Sequence, residues 1–235
     1  MRRKLGALLV LASFALAVTA PAQNRVAVPL PAAQGANEKS LVNKAQAALD
    51  AKQWPDAEAA LKQLVTSEPR WEYLEALGNA QGNQGHSGDS IASYQRAIDL
   101  AQKNAVPGVL PRIYTAIGNA NLKLKRNDAA ISAYNQAAAL AANPGVAYFN
   151  ICAVLYNAGE TVKTLVACDK AIAADPKKPD AYFIKGSVMV GQGAADKKGK
   201  MTVPPGTVET LKQYLVLAPD GGHARDVKDM LDFLK

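Results

Sequence analysis

The chain has 235 residues, of which 49% are hydrophobic and 20% are charged, and its formal net charge is +7. Alanine is abundant and runs of β-branched residues are few, which argues against a sheet and favours a helical array. The positive charge is mild and no basic stripe is interleaved with aromatic residues, so a nucleic-acid-binding protein is not expected.

The start of the chain, as far as Ala22, has the three parts of a secretory signal peptide. A basic start at residues 2–4 is followed by an apolar core at residues 5–18 and by the A-x-A cleavage signal at residues 20–22. The apolar core is short for a membrane span, and no cysteine follows it to carry a lipid. We therefore expect export to the periplasm and no integral span after cleavage. An extracellular location and an uncleaved inner-membrane anchor are the alternatives.

Cleavage of this segment also lowers the charge of the mature chain. Without Arg2, Arg3 and Lys4 the 27 basic residues become 24, against 20 acidic residues, which gives a net charge of +4. Residues 23–37 are rich in proline, alanine and glutamine and have no periodicity, so they predict a flexible leader.

A repeat with a period of about 34 residues dominates the rest of the chain. Tyr114, Tyr148 and Tyr182 are spaced at this interval, and a small residue stands four positions after each: Gly118, Cys152 and Gly186. A fixed period of this length is typical of helix-turn-helix units that stack to bury a shared apolar face.

The second half of each unit follows the same frame. Ala130, Tyr134 and Ala137 recur as Thr164, Cys168 and Ala171, and the unit closes at Pro176. Small residues allow two antiparallel helices to approach closely, and a proline ends the second helix because it has no N–H. The pattern resembles the tetratricopeptide repeat family.

The resemblance implies an all-α fold, a right-handed α-solenoid of about five helix-turn-helix repeats with a C-terminal capping helix. The expected solenoid domain spans residues 38–235, and its repeats are 38–71, 71–104, 111–144, 145–178 and 179–220.

Two repeats depart from the regular length. Six extra residues after the second repeat predict a lengthened helix before a break at Pro107-Gly108. The fifth repeat carries an insertion at about residues 192–206, and its second helix is then expected at 208–217. The capping helix is expected at about 223–234. Three lysines in the insertion, Lys197, Lys198 and Lys200, suggest either a solvated loop or contact with an acidic partner or an anionic envelope surface.

The two cysteines predict a disulfide within the fourth repeat. Cys152 and Cys168 lie symmetrically about the Gly159-Glu160 turn, so antiparallel helices bring them to the same height. A pair of cysteines in an exported protein most simply forms a disulfide. The alternative is two buried thiols that fill core positions.

Residues for enzyme chemistry are scarce. His86 and His223 belong to no metal-ligand spacing or nucleophile-base pattern, and both are expected to be exposed. The carboxylates are spread along helix surfaces. We therefore expect no enzyme activity, no catalytic or metal-binding residues and no cofactor.

The family resemblance implies a concave groove lined by the first helix of each repeat. Asparagine offers both a donor and an acceptor, so a row of asparagines suits the backbone of an extended peptide, and two phenylalanines would supply apolar pockets. Alternatively, asparagine only keeps an exposed helix face soluble. The residues at the family's groove positions are Asn43, Asn79, Thr115, Asn119, Phe149, Asn150, Ala153, Asn157, Phe183 and Ser187.

Some members of the family hold a C-terminal carboxylate with basic groove residues beside two asparagines. Asn119 and Asn150 match the asparagines, but Thr115, Asp180 and Ile184 stand where the basic residues belong. The sequence therefore does not support this carboxylate clamp.

These patterns together predict an exported, non-enzymatic scaffold or adaptor that binds a protein or peptide partner in its groove. A self-assembling structural array and a non-catalytic subunit of an envelope enzyme complex are the alternatives. The sequence leaves open the partner's identity and the oligomeric state.

The signal sequence gives the first testable prediction. We expect cleavage after Ala22, so N-terminal sequencing of protein recovered from the periplasm should read Gln23-Asn24-Arg25. Intact Met1 or Arg2 in a membrane fraction would instead identify the segment as an anchor.

Overall fold

The computed structural model of the chain describes residues 30–33, 35–104, 106–195 and 201–234. These residues are mostly α-helical. They divide into an N-terminal unit that ends at Ala142 and a C-terminal unit that begins at Asn143. None of the described helices is long and apolar enough to cross a membrane. The predicted signal peptide, the leader up to residue 29 and the three insertion lysines lie outside the described residues.

In the N-terminal unit, the part of the chain that the structure describes forms three pairs of antiparallel helices. Each helix also packs against the next one along the chain, so the pairs form a continuous stack. A short 3-10 helix, Pro107–Val109, separates the second pair from the third. The helices are α1 (Ala36–Asp50), α2 (Trp54–Ser67), α3 (Trp71–Asn83), α4 (Ser87–Lys103), α5 (Leu110–Lys123) and α6 (Asn127–Leu140).

The described residues of the C-terminal unit form two helix pairs and a final helix. Two short antiparallel strands, which the sequence pattern does not predict, lie between the helices of the last pair, with Ala194 opposite Thr202. The elements are α7 (Gly145–Asn157), α8 (Thr161–Ala174), α9 (Pro179–Gly191), β1 (Ala194–Ala195), β2 (Met201–Thr202), α10 (Thr207–Leu217) and α11 (Ala224–Phe233).

The turn inside each of the first four pairs has the same backbone geometry. One residue, at the same repeat position each time, has a left-handed φ: Lys52 at 56°, Gly85 at 85°, Lys125 at 58° and Gly159 at 74°. Glycine adopts this conformation without steric strain, whereas a lysine costs about 1 kcal/mol there. The repeat therefore imposes the turn even where the residue is unfavourable.

The two helices of a pair approach most closely at one repeat position. A Cβ atom on Gly78 would lie 2.7 Å from the ring of Tyr94, and one on Gly118 would collide with the ring of Tyr134. The glycine and the tyrosine have the same sequence separation in both repeats. In the fifth repeat Gly186 faces Leu211 in the same way. Their longer separation reflects the insertion between the two helices.

In the fourth repeat a disulfide takes the place of this glycine–tyrosine contact. Cys152 and Cys168 have a sequence separation of 16, as the glycine and tyrosine do, and a bond of 2.03 Å joins them. Both are fully buried. The predicted pairing is therefore present in the structure. Two small cysteine side chains joined covalently fill the space that glycine and tyrosine fill elsewhere.

The first helix begins earlier than the sequence pattern indicates. Helix α1 starts at Ala36, inside the segment expected to be a flexible leader. Leu30 of the same segment packs against the apolar core of the N-terminal unit. Part of the expected leader is therefore ordered against the helical stack.

The disulfide provides the second prediction. Protein is purified from its own compartment without reductant and denatured in the presence of an excess of a thiol-reactive probe. The probe should detect no free thiol. Replacing both cysteines, C152A with C168A, should lower the free energy of unfolding by about 3 kcal/mol, because the bond closes a short loop. The measurement is chemical denaturation followed by circular dichroism. As a control, a reductant should destabilise the wild type and leave the double variant unchanged. Two titratable thiols in the native protein would contradict the prediction.

Candidate functional site

The best-defined polar positions of the N-terminal unit are Asn79 and Asn119. Each asparagine directly follows the glycine of the close helix contact, so the repeat places both on the same side of the stack. The hydroxyl of Tyr94 donates to Oδ1 of Asn79 at 2.8 Å, and the hydroxyl of Tyr134 donates to Oδ1 of Asn119 at 2.6 Å. The tyrosine that packs on the glycine therefore also orients the neighbouring amide.

These hydrogen bonds leave the amide nitrogens available. Both asparagines are half-buried, and the described residues provide no hydrogen-bond partner for Nδ2 of either one. Burial raises the pKa of Tyr134, so its hydroxyl keeps its proton and remains a donor at physiological pH. Each pair can thus offer a fixed N–H donor to a carbonyl oxygen.

A small cleft lies beside the second of these pairs. It has a volume of about 20 Å³, and Tyr94, Asn119 and Lys123 contribute polar groups to its wall. The ammonium group of Lys123 donates to the carbonyl of Gly82 at 2.7 Å, which joins the second repeat to the third. The cleft has room for about one water molecule.

Thr115 is another predicted groove residue of this unit, and its hydroxyl donates to the carbonyl of Pro111 within its own helix, at 2.8 Å. Thr115 therefore contributes surface rather than a directed donor. We call the surface formed by Asn79, Thr115 and Asn119 the asparagine face.

A partly buried ion pair joins the two helices that carry the asparagine face. Glu75 of α3 and Arg112 of α5 are in contact at 2.7 Å, and the carboxylate side chain is only 4% exposed. Burial raises the pKa of Glu75, and the attraction of Arg112 opposes that rise only in part. The pair fixes the second repeat against the third, and the family resemblance did not single out either residue.

The expectation that Phe149, Asn150 and Phe183 line an open groove is wrong. Their exposed fractions are 2%, 4% and 1%, and the two aromatic rings are part of the hydrophobic core of the C-terminal unit. Lys178 lies over the ring of Phe149, 4.9 Å from its centroid. Oδ1 of Asn150 is buried without a hydrogen-bond partner among the described residues. Ala153 is buried as well.

The final helix covers the predicted groove residues of the fifth repeat. The ring of His223, just before α11, stacks on Phe183 with their centroids 3.9 Å apart. Ser187 donates to the carbonyl of Phe183 at 2.8 Å and contacts the sulfur of Met230 at 3.9 Å. Ser187 therefore faces α11. His223, expected to be exposed, is half-buried in the same contact.

The remaining predicted positions are exposed. Asn43 lies on α1, and Asn157 is the last residue of α7. Of the ten predicted groove residues, Asn43, Asn79, Thr115 and Asn119 belong to the N-terminal unit and the other six to the C-terminal unit. Sequence reasoning missed that tyrosines hold the asparagines, although the constant spacing of the two residues in both repeats was a usable signal.

Sequence comparison identifies the repeat. Two family profiles described as tetratricopeptide repeat match residues 42–105 and 111–144. These two segments of the chain are tetratricopeptide repeats. No curated protein sequence matches it.

Solved structures of tetratricopeptide repeat proteins share the fold. A MamA fragment from Desulfovibrio magneticus RS-1 has 19% identity and a TM-score of 0.63, over 81% of this chain and 99% of that one. YrrB, described as a TPR protein with an unusual peptide-binding site, has 16% identity and a TM-score of 0.59, over 80% and 90% of the two chains. PilF of Pseudomonas aeruginosa has 13% identity and a TM-score of 0.59, over 83% and 86%.

The Glu75–Arg112 pair provides the third prediction. The variant Arg112→Gln should lose about 1–3 kcal/mol of unfolding free energy at pH 7, because it leaves a buried carboxylate without its partner. The lower end of this range is expected, since the guanidinium is about half exposed. Urea denaturation followed by circular dichroism measures the loss.

The pH dependence of this loss has a defined sign. A carboxyl whose folded pKa is raised favours folding at low pH and disfavours it as pH rises through that pKa. Without Arg112 the pKa of Glu75 rises further, so the deficit should shrink between pH 7 and pH 5. Lys163→Gln, which breaks the exposed pair with Glu160, should change stability by less than about 0.5 kcal/mol at either pH. A deficit that does not depend on pH would contradict the assignment.

Proposed function

We propose that this protein is a non-enzymatic scaffold or adaptor that binds an extended segment of a partner protein along the asparagine face. The observation that carries the proposal is the repeated tyrosine–asparagine pair. Two successive repeats hold an amide in one orientation, with its nitrogen free among the described residues. Amide groups at a regular spacing can pair with the backbone carbonyls of an extended peptide whatever its side chains.

The comparison with YrrB, whose structure is described as having a peptide-binding site, supports this mode of binding. The location of the site differs from the sequence expectation. Because Phe149 and Phe183 are buried and α11 covers Ser187, the proposed contact surface is in the N-terminal unit. It begins at Asn79 and continues to Asn119.

We further propose that the protein acts in the periplasm after export. The predicted signal peptide motivates this location, and the Cys152–Cys168 disulfide supports it. Disulfides form and persist in oxidising compartments and are rare in the bacterial cytoplasm.

The fourth prediction tests the asparagine face. Cross-linked pull-down from the native envelope, followed by mass spectrometry, identifies the partner, and its affinity for purified variants is then measured by calorimetry. Asn79→Ala and Asn119→Ala should each weaken binding severalfold, because each removes one hydrogen bond. Tyr134→Phe should weaken binding less, since it frees the orientation of Asn119 without removing its donor.

The control is Asn135→Ala, which removes an exposed asparagine from the second helix of the third repeat and should leave affinity unchanged. Helical content and melting temperature are measured for every variant, since a lost fold would imitate a lost site. If the Asn79/Asn119 double variant binds with full affinity, the asparagine face is not the site. A purified protein whose elution volume in size-exclusion chromatography depends on its concentration would favour the self-assembling array.

A further inference from the structure

Leu30 attaches the described part of the leader to the helical stack. The backbone N–H of Leu30 donates to Oε1 of Gln46 on α1, at 3.3 Å. The side chain of Leu30 packs against the apolar cluster of the N-terminal unit. Pro31 and Ala33 are half-buried, and Ala32 between them is exposed. A segment of the chain outside the repeats thus already makes a backbone contact with a first-helix amide.

Gln46 occupies the repeat position of Asn79 and Asn119. It directly follows Ala45, which stands where the later repeats have Gly78 and Gly118. In those repeats a tyrosine hydroxyl donates a hydrogen bond to the amide oxygen of the asparagine. In the first repeat Leu61 stands at the tyrosine position, and it has no hydroxyl. The oxygen of Gln46 is therefore open to another donor, and the Leu30 N–H takes that place.

The orientation of Gln46 is fixed from its other end. Its Nε2 donates to Oδ1 of Asp50, one helical turn further, at 2.8 Å. This bond turns the amide oxygen toward the leader. The arrangement is the reverse of the tyrosine–asparagine pairs. In those pairs the amide oxygen accepts from the tyrosine and the amide nitrogen is available to a ligand. In Gln46 the amide nitrogen bonds to Asp50 and the amide oxygen accepts from the leader.

The sequence around Leu30 suits a single acceptor. Proline stands on both sides, at Pro29 and Pro31, and proline has no N–H. A proline after Leu30 also restricts it to extended backbone. The segment Pro29-Leu30-Pro31 therefore has one amide donor, and one glutamine oxygen satisfies it. Proline-containing segments also lose little conformational entropy when they bind.

We propose that Leu30–Ala33 is an internal ligand that occupies a binding subsite at Gln46, and that this subsite takes extended, uncharged segments with a large apolar residue directly before a proline. The apolar side chain packs against the apolar cluster of the N-terminal unit, and the backbone N–H of the same residue donates to Oε1 of Gln46. A partner segment of this chemistry competes with the leader. The inference deepens the proposed function, since it rests on the asparagine face being the partner surface and adds its first subsite.

The first experiment needs no partner. Hydrogen exchange of the Leu30 amide, the one amide between two prolines, is measured by NMR on protein purified as its host produces it. Gln46→Ala should accelerate this exchange severalfold, up to about tenfold, because it removes the acceptor. Gln63→Ala, which removes an exposed glutamine from α2, is the matched control and should leave it unchanged. Equal exchange in both variants overturns the proposal. Protection that increases with protein concentration also overturns it, since the segment then comes from a second copy.

The second experiment tests the chemistry of the subsite. A fluorescent synthetic peptide with the sequence of residues 26–34, VAVPLPAAQ, is titrated by anisotropy. Leu30→Asp in the protein should release the leader and tighten peptide binding by about tenfold or more, because the tethered segment has an effective concentration near the millimolar range. Ala32→Asp, at an exposed position, should bind as the wild type does. Adding Gln46→Ala to Leu30→Asp should abolish the gain.

Equal peptide affinity for the wild type and Leu30→Asp overturns the proposal. Failure of the proposed function is a separate result. If Leu30 exchange responds to Gln46→Ala while the asparagine variants retain full partner affinity, the leader subsite stands and the asparagine face does not. Circular dichroism of each variant confirms that the fold is intact.

Discussion

The close approach of the two helices in each pair is the constraint on which the rest of the structure depends. In the second, third and fifth repeats the first helix has no room for a Cβ atom at one position, because the second helix places a large side chain against it. The tyrosine ring occupies the space that a Cβ atom on the facing glycine would need. This holds for Gly78 with Tyr94 and for Gly118 with Tyr134. This contact sets the distance between the two helices, and it therefore determines which side chains face outward.

The geometry of the proposed binding surface follows from the same contact. The residue after each glycine emerges beside the tyrosine, so the hydroxyl at the end of the ring reaches its amide oxygen. The apolar body of tyrosine stabilises the pair of helices, while its polar tip orients the asparagine. Helix packing and the orientation of the asparagine amide therefore depend on one side chain, and a change at this position affects both.

Other residue pairs occupy the same position in the first and fourth repeats, and each pair changes the neighbouring surface. The disulfide in the fourth repeat keeps the helices close without a ring, and no hydroxyl is then available; Ala153 stands at the asparagine position and is buried. In the first repeat Leu61 supplies bulk without a hydroxyl, and Gln46 bonds with the leader instead. Differences in this one packing contact thus correlate with the side chain that each repeat exposes or buries at the next position.

The sequence by itself determined the repeat, the helix pairs and the cysteine pairing, because a fixed period and small residues at fixed offsets reflect local packing rules. It also indicated the asparagines, since equivalent positions recur in the frame. It did not determine which groove positions are open. Phe149 and Phe183 match groove positions by number, yet they are buried, and α11 reaches back over Ser187. Nor did it show that Leu30 joins Gln46. These features depend on contacts between residues far apart in the chain and on the absence of a tyrosine at one site. Only the tertiary structure decides them, because burial is set by what packs against a residue and not by its place in the repeat.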